Sequence, residues 1–397
     1  MEEEKYAKQQ RIYKIVMLVI LTIFITFMVT SLSLYTYFSK NPITMNSATT
    51  VSGFGKIRNV IDKYYLWKDD INENELSDAA IKGYVSGLGD KYTEYIPKNE
   101  IEEFQDEVTG TFTGIGISMT ADKEKGVVVY EPLPDSPAEN AGIKSGDVIK
   151  KIDGKEFDYD NFDTITDSIK GEEGTNVNIV IERDGEEKEF EITRERISSN
   201  NVTAGLIDKN IGYMYIPSFD QDTGKYFKEN LDSLIKKGAT SLIIDLRQNG
   251  GGIVDEAEKI ADLFLEKDVT IMTTRDNKGN ENVTKTKSEK QYDLPIIILG
   301  NGSTASASEI LIGALKDNNR AKFVGTKTFG KGIIQVVVTL VDGSALKITN
   351  AEYITPNGTA IHGVGITPDI EVKLSDSKDE NEDKDNQLNR AIEELKK

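Results

Sequence analysis

Between Lys14 and Lys40 the chain carries no charged residue, and Ile15 to Phe38 reads IVMLVILTIFITFMVTSLSLYTYF. As a helix at 1.5 Å per residue, such a run reaches about 37 Å, enough to cross a hydrocarbon core of about 30 Å. Tyr35, Tyr37 and Phe38 stand where an interfacial aromatic belt is expected. Lys5, Lys8, Arg11 and Lys14 precede the run, while Lys40 stands nearly alone after it. The positive-inside rule then puts residues 1–14 in the cytoplasm, makes 15–38 a single transmembrane helix, and leaves the other domains outside the cytoplasmic membrane. The competing reading is a cleaved signal peptide with Ser31-Leu32-Ser33 as a weak cleavage site, but the apolar run is longer than a usual signal core.

Everything after Lys40 reads as soluble domains. Of 397 residues, 38% are hydrophobic and 29% charged, a balance unlike that of a polytopic membrane protein. The formal charge, 48 − 67 = −19, repels polyphosphate and argues against nucleic acid as a partner. The absence of cysteine removes disulfides, thiolate zinc sites and thiol nucleophiles. With His362 the only histidine, histidine-rich metal sites are not expected.

Residues 41–50 form a short polar linker. From 51 to 110 the pattern is helical, with Ile57, Val60, Ile61 and Tyr64 at three- and four-residue steps. Ser77-Asp78-Ala79 opens a second helix, and Asn99 is placed to cap a third. This segment buries too little to stand alone. It needs the rest of the chain or a second copy to pack on, so a homodimer through it is one expected arrangement. Residues 111–196 change texture to short strands and turns. Gly126–Tyr130 is a strand, Ser136-Pro137-Ala138 starts a helix with proline at its first position, and alternating runs around Asp184-Gly185 make a hairpin. From 201 to 374 strands and helices alternate, with strands at 211–216, 241–246, 295–300 and 321–324 and helices at 221–237, 254–265 and 306–318. Two later strands, 333–340 and 345–351, join through Asp342-Gly343. This is an α/β domain with buried strands. The charged tail, 375–397, holds one short helix at 387–395 and is expected to be solvated.

Gly114-Ile115-Gly116-Ile117 precedes a strand, and glycines flanking an aliphatic residue let successive amides converge on an anion. By itself the pair marks only a turn. The run from Ser136 to Ile149, SPAENAGIKSGDVI, followed by Asp153-Gly154, closely resembles the corresponding segment of bacterial PDZ domains. That resemblance implies that Ile115, Gly116 and Ile117 offer amides to the carboxylate of a polypeptide C-terminus, which adds to the sheet as a strand. A helix near Asn161–Ile169 would form the other wall of the groove.

Gly300-Asn301-Gly302-Ser303-Thr304-Ala305-Ser306-Ala307-Ser308-Glu309 follows a buried strand and opens a helix. Ser306-x-x-Glu309 fits a capping box without any chemistry. A serine at a strand-to-helix turn is also where a nucleophile is exposed beside free amides. Its base is either His362, in some order of triad, or a lysine whose burial disfavours the charged form. Phe329-Gly330-Lys331-Gly332, leading into Ile333-Ile334, puts one lysine at a sheet edge. Gln335 either holds its amine or pairs across the strand.

STASASEI and FGKGIIQ, with 331 − 306 = 25 residues from serine to lysine, resemble the C-terminal (tail-specific) processing peptidases of family S41. The likeness runs from Val51 to Leu374 in the order helical segment, PDZ domain, α/β core, and includes Gly87–Tyr95 and Gly363–Asp369. It implies a core similar to the ClpP/crotonase fold, with Ser306 as nucleophile, Lys331 as general base and Gln335 as its orienting partner. Asp245-Leu246-Arg247-Gln248-Asn249-Gly250-Gly251-Gly252 matches a further family loop, whose amide near Gly251 would form the oxyanion hole together with that of Ala307. Thr304 and Gly250 depart from the usual residues, Gly250 replacing a frequent proline, so that a looser loop is expected. Asp317, about three helical turns beyond Ser306, is assigned a structural or tuning role.

The expected function is therefore a membrane-anchored serine endopeptidase that captures protein or peptide C-termini and needs no metal or nucleotide cofactor. Its rivals are a catalytically inactive membrane-tethered PDZ scaffold and a crotonase-type acyl hydratase, which has no use for a PDZ insert.

Overall fold

The computed structural model describes residues 45–198, 201–375 and 385–397. The expected span at 15–38 lies outside them. Among the described residues no helix is long and apolar enough to cross a membrane. The chain divides into two units, one ending at Asp78 and one comprising Ala79–Lys397. In the first, helix α1 (Met45–Tyr64) leads through a short 3-10 turn into the start of α2 (Glu73–Ser86). Arg58 ties these helices by bonding Asp62 and Glu73. Phe54, Ile57, Val60 and Tyr64 recur along α1 and are exposed.

The second unit continues with strand β1 (Glu94–Ile96) and α3 (Ile101–Thr109), which stops at Gly110 in the left-handed conformation. A short ladder, β2 (Thr111–Gly114) against β9 (Glu195–Ser198), brackets the next module. Inside it lie β3 (Ile117–Asp122), β4 (Gly126–Pro132), helix α4 (Pro137–Ala141), β5 (Val148–Ile152), β6 (Lys155–Glu156), helix α5 (Ile165–Ile169), β7 (Asn176–Arg183) and β8 (Glu186–Thr193). The sheet order is β3-β4-β5-β7-β8, so β3 is an edge strand. Val127, Val129, Ile149, Ile152, Val177, Ile179 and Ile181 alternate inward and close a core of their own.

The main sheet is β10 (Thr203–Ile207), β11 (Ile211–Tyr215), β12 (Ser241–Asp245), β15 (Ile296–Gly300), β16 (Ala321–Gly325) and β19 (Ile370–Glu371), in that order. All neighbours are parallel except β10 and β11. Strands β12 and β15 are buried at every position, as expected when both faces are covered. Helices α6 (Thr223–Lys236), α7 (Val254–Phe264) and α8 (Ala307–Asp317) contribute to the core on one face. The opposite face is covered by the tail.

That last point corrects the expectation of a solvated tail. Helix α9 (Asn386–Leu395) sets Leu388, Ala391, Ile392 and Leu395 against Ile211, Ile243, Ile297, Leu299 and Val324. Their spacing is one helical stripe, and without it five apolar side chains of the sheet would face water. Arg247 fastens the start of this helix, its guanidinium reaching Asp245, Asp385 and Gln387. A second sheet contains β13 (Thr270–Asp276), β14 (Glu281–Lys285), β17 (Ile333–Thr339) and β18 (Ala345–Ile354), together with β1. The sequence periodicity does not mark β13 or β14, whose residues are largely half-exposed or exposed.

Candidate functional site

In open parallel sheets, ligands bind beyond the carboxyl ends of the strands. Here three adjacent parallel strands each end in one piece of the expected site. β12 runs into the loop carrying Gly251, β15 into the loop carrying Ser306, and β16 into the loop carrying Lys331. Residues far apart in the chain meet because their strands are neighbours.

Ser306 adopts φ +56°, ψ −119° immediately before α8. A side chain at such an angle costs of order 1–3 kcal/mol and persists only where the surroundings enforce it. Ser306 is half-buried, whereas Thr304, Ala305, Ala307, Ser308 and Glu309 are fully buried. The neighbouring serines differ from it. Ser308 donates its buried hydroxyl to the Asn249 carbonyl, and Ser303 is an exposed turn residue. Thr304, the departure from the family pattern, ties two loops together by donating to Leu246 O at 2.8 Å.

The strained turn is held by Glu309. Its carboxylate is completely buried and accepts bonds from Ser306 N at 2.9 Å, Thr328 Oγ1 at 2.5 Å, Gly330 N at 2.8 Å and Lys331 N at 2.9 Å. One side chain thus binds the backbone of the serine and of the lysine. The sequence shows this glutamate only as half of a capping box, and nothing local in it reveals the second half of its duty. Tyr353 adds a bond to Ser306 O at 3.3 Å. Burial and the Glu309 charge push its phenol well above the ordinary value, so it stays protonated and a donor.

Lys331 is half-buried, and no carboxylate among the described residues pairs with its amine. Burial lowers its pKa, helped by the like charges of Lys347 and Lys91. The amine lies 4.7 Å from the centre of the Tyr92 ring, whose π face favours the charged form and opposes that shift. Tyr92 belongs to Gly87–Tyr95, a stretch matched by resemblance but given no role from sequence. It is set by Asp90, which accepts from Tyr92 N and Thr93 Oγ1 and is held below its ordinary value, first by the Thr93 bond and then by Thr349.

Not every expected partner is engaged. Gln335 donates to Thr349 Oγ1 at 3.3 Å, its cross-strand neighbour, and not to Lys331. Gly251 lies against the serine, since a Cβ there would fall 2.6 Å from Ser306 Cβ. Its amide, however, donates to Asn249 Oδ1 at 2.8 Å and is not free. Asn249 is itself locked, fully buried and donating to Ile216 O at 2.8 Å. The loop is therefore tightly bonded rather than loose, asparagine supplying the order that proline would have. The Ala307 amide, in the first turn of α8, has no acceptor among the described residues. His362 is exposed and near enough to Asp90 for its charge to be felt, but it makes no hydrogen bond to Ser306. Asp317 accepts from Asn357 N at 3.2 Å and anchors a turn. Among the described residues no three His, Cys, Asp or Glu side chains meet where they could hold a metal.

In the β2–β9 module the chain passes from β2 to the edge strand β3 through Ile115 and Gly116. Their carbonyls are used, accepting from Ala138 N and Leu133 N, while their amides donate to nothing among the described residues. Gly116 has φ +75°, and a Cβ on it would meet Ser136 Cβ at 2.4 Å, so no other residue fits. Helix α5 and the 3-10 turn at Tyr159–Thr164 follow β6, the turn packing near β3 and β4.

Two family models match the chain, Peptidase family S41 over residues 210–372 and PDZ domain over 113–193. A protein named probable CtpA-like serine protease from Staphylococcus haemolyticus (strain JCSC1435) is 40% identical over 303 residues, covering 76% of this chain and 61% of that protein. One of the same name from Staphylococcus aureus (strain COL) is 37% identical over 365 residues, 91% of this chain and 72% of that protein. The chain belongs to the CtpA-like serine proteases of peptidase family S41. It spans less than two thirds of the length of the first of these relatives. A solved photosystem II D1 C-terminal processing protease is similar at 29% identity and TM-score 0.47, over 82% of this chain and 88% of that one.

Proposed function

We propose that the chain is a serine endopeptidase of the C-terminal processing type, anchored by residues 15–38 with its catalytic domains outside the cytoplasmic membrane. The observation that supports it most is the shared tether at Glu309, which holds a strained, half-buried serine and a lysine without a counter-ion in one site. Neutral Lys331 takes the Ser306 hydroxyl proton as Oγ attacks the substrate carbonyl carbon, and returns it to the leaving amine. The Ala307 amide receives the oxyanion. Water, deprotonated by Lys331, then releases the acyl group. For this the amine must leave Tyr92 and approach Ser306, with Gln335 exchanging Thr349 for the lysine. A second oxyanion donor from Gly251 requires Asn249 to turn away. The bonds now present fit a resting site that substrate assembles.

Capture is assigned to the open amides of Ile115 and Gly116, with Ile117 beginning the strand to which the substrate terminus adds. A peptide with a free C-terminus should be cut by the wild-type chain at lower concentration than its C-terminally amidated twin. Gly116→Val should remove that difference, because its Cβ collides with Ser136 and displaces the amides that form the nest. Equal cleavage of the two peptides by the wild-type chain would overturn the capture role, and cleavage of neither would overturn the peptidase.

The external orientation has its own check. Protease added to intact protoplasts should remove a tag fused after Lys397. Loss of the tag only after lysis would reverse the assigned topology.

A further inference from the structure

Among the described residues strand β17 pairs with β18 and with no other strand. Leu340 N bonds Ser344 O at 2.8 Å at one end of this hairpin, and Tyr353 N bonds Gly332 O at 3.0 Å at the other. Gly332 and Leu340 therefore face β18. Alternation along an antiparallel ladder then turns Ile334, Val336 and Val338 toward β18, and turns the main-chain groups of Ile333, Gln335, Val337 and Thr339 outward. The extra residue that breaks the register lies on β18, between Thr349 and Ala351, so the alternation on β17 is uninterrupted.

The side chains of this strand are as unusual as its edge. Val336, Val337, Val338 and Leu340 are all exposed, on both faces, and no residue from Gly332 to Val341 is charged. Exposed edges are normally blunted by a charge, a proline or a covering segment, because they otherwise template pairing. β17 carries no charge or proline, and no segment among the described residues pairs with its outer edge. It begins two residues after Lys331.

We propose that this outer edge is the docking strand for the polypeptide being cut: an uncharged, extended stretch of substrate adds to β17 as a further strand. This rests on the peptidase reading above and specifies how its substrate is held. Three features select substrate over a second copy of the chain. Outward N–H and C=O groups are met by any extended backbone, as suits an enzyme that reads identity elsewhere, at a C-terminal carboxylate. The apolar side chains add affinity without demanding a particular sequence. A two-fold pairing of β17 with itself would occupy the edge that leads to Lys331, where an incoming chain must pass.

The test is an N-methyl scan of a synthetic peptide that the wild-type chain cuts at one bond and Ser306→Ala does not. Methylating a backbone nitrogen removes a donor and adds bulk, so alternate positions on one side of the bond should lose about tenfold in kcat/KM. The positions between should change little. A profile without a two-residue period overturns the docking strand and leaves the peptidase standing, whereas a peptide that is not cut at all ends both. Val337→Pro checks the enzyme side. Proline there removes an outward N–H and no bond to β18, so melting should be unchanged while KM rises about tenfold. An unaltered KM overturns the proposal, and if the oligomeric state changes instead, β17 is an interface between copies.

Discussion

Lys331→Ala is expected to lower turnover of an unfolded protein substrate by about 10²–10⁴-fold, the range of a positioned general base. Ser306→Ala should be at least as severe, because no other hydroxyl in the loop is placed to replace it. Ser308 is buried on Asn249 and Ser303 lies in the exposed turn. Lys331→Arg should fail as well, since guanidinium stays protonated and cannot accept the proton. His362→Ala should retain most activity, its exposed ring making no bond to Ser306. The pH dependence follows from the sign of the lysine shift. The base is the neutral amine, so kcat/KM should rise with pH as the amine loses its proton. Because burial, Lys347 and Lys91 lower that pKa, the midpoint should fall below the 10.5 of an ordinary lysine. Steady-state rates for the four variants, with a pH profile of the wild type, check this. A dead His362→Ala beside an active Lys331→Ala would replace the lysine with a histidine base.

The other large effect is expected at Glu309. Replacing it with glutamine turns one acceptor oxygen into an NH₂ group, which must face either Ser306 N and Lys331 N or Thr328 Oγ1 and Gly330 N. Each donor left without a partner in this buried place costs about 1–3 kcal/mol. Thermal melting should fall by several degrees. Activity should fall further than that loss of stability explains, because the same bonds set the strained φ of Ser306 and the position of Lys331. The split in the kinetic constants separates this from general damage. KM for a free-acid peptide should change little, since the nest at Ile115–Gly116 belongs to a different core, while kcat drops at a temperature where the variant is still folded. A Glu309→Gln enzyme with wild-type kcat would show that the tether is unnecessary.

Much of the architecture was legible in the sequence. Buried strands announce themselves as short aliphatic runs, so 241–246 and 295–300 were found within a residue of β12 and β15. The alanine-flanked serine and the glycine-flanked lysine are visible as local patterns, a helix preceded by small residues and a lysine preceding an apolar strand. Locally, however, the serine reads equally as a helix cap, and the family resemblance is what singles the pair out. What failed was anything decided by a neighbour distant in the chain. The tail reads as charged and solvated because its apolar stripe is only four residues wide, and only the bare second face of the sheet shows what the stripe is for. Strands β13 and β14, half wet, carry no clean alternation.

At the site the division is sharper. The sequence by itself supplied the candidate groups: one serine at a strand-to-helix turn, a lysine bounded by glycines or the single His362 as its base, a glycine pair before a strand, and no thiol or histidine cluster to compete, with the family resemblance choosing among them. Tertiary structure alone decided how those groups are engaged. Gln335 bonds Thr349, the Gly251 amide bonds Asn249, and the Lys331 amine rests on Tyr92. The physical reason is that residue type and local spacing specify donors and acceptors, whereas which donor meets which acceptor depends on strand adjacency in the sheet. Glu309 is the clearest case, a capping residue by its spacing that becomes the link between serine and lysine only because β15 and β16 lie side by side.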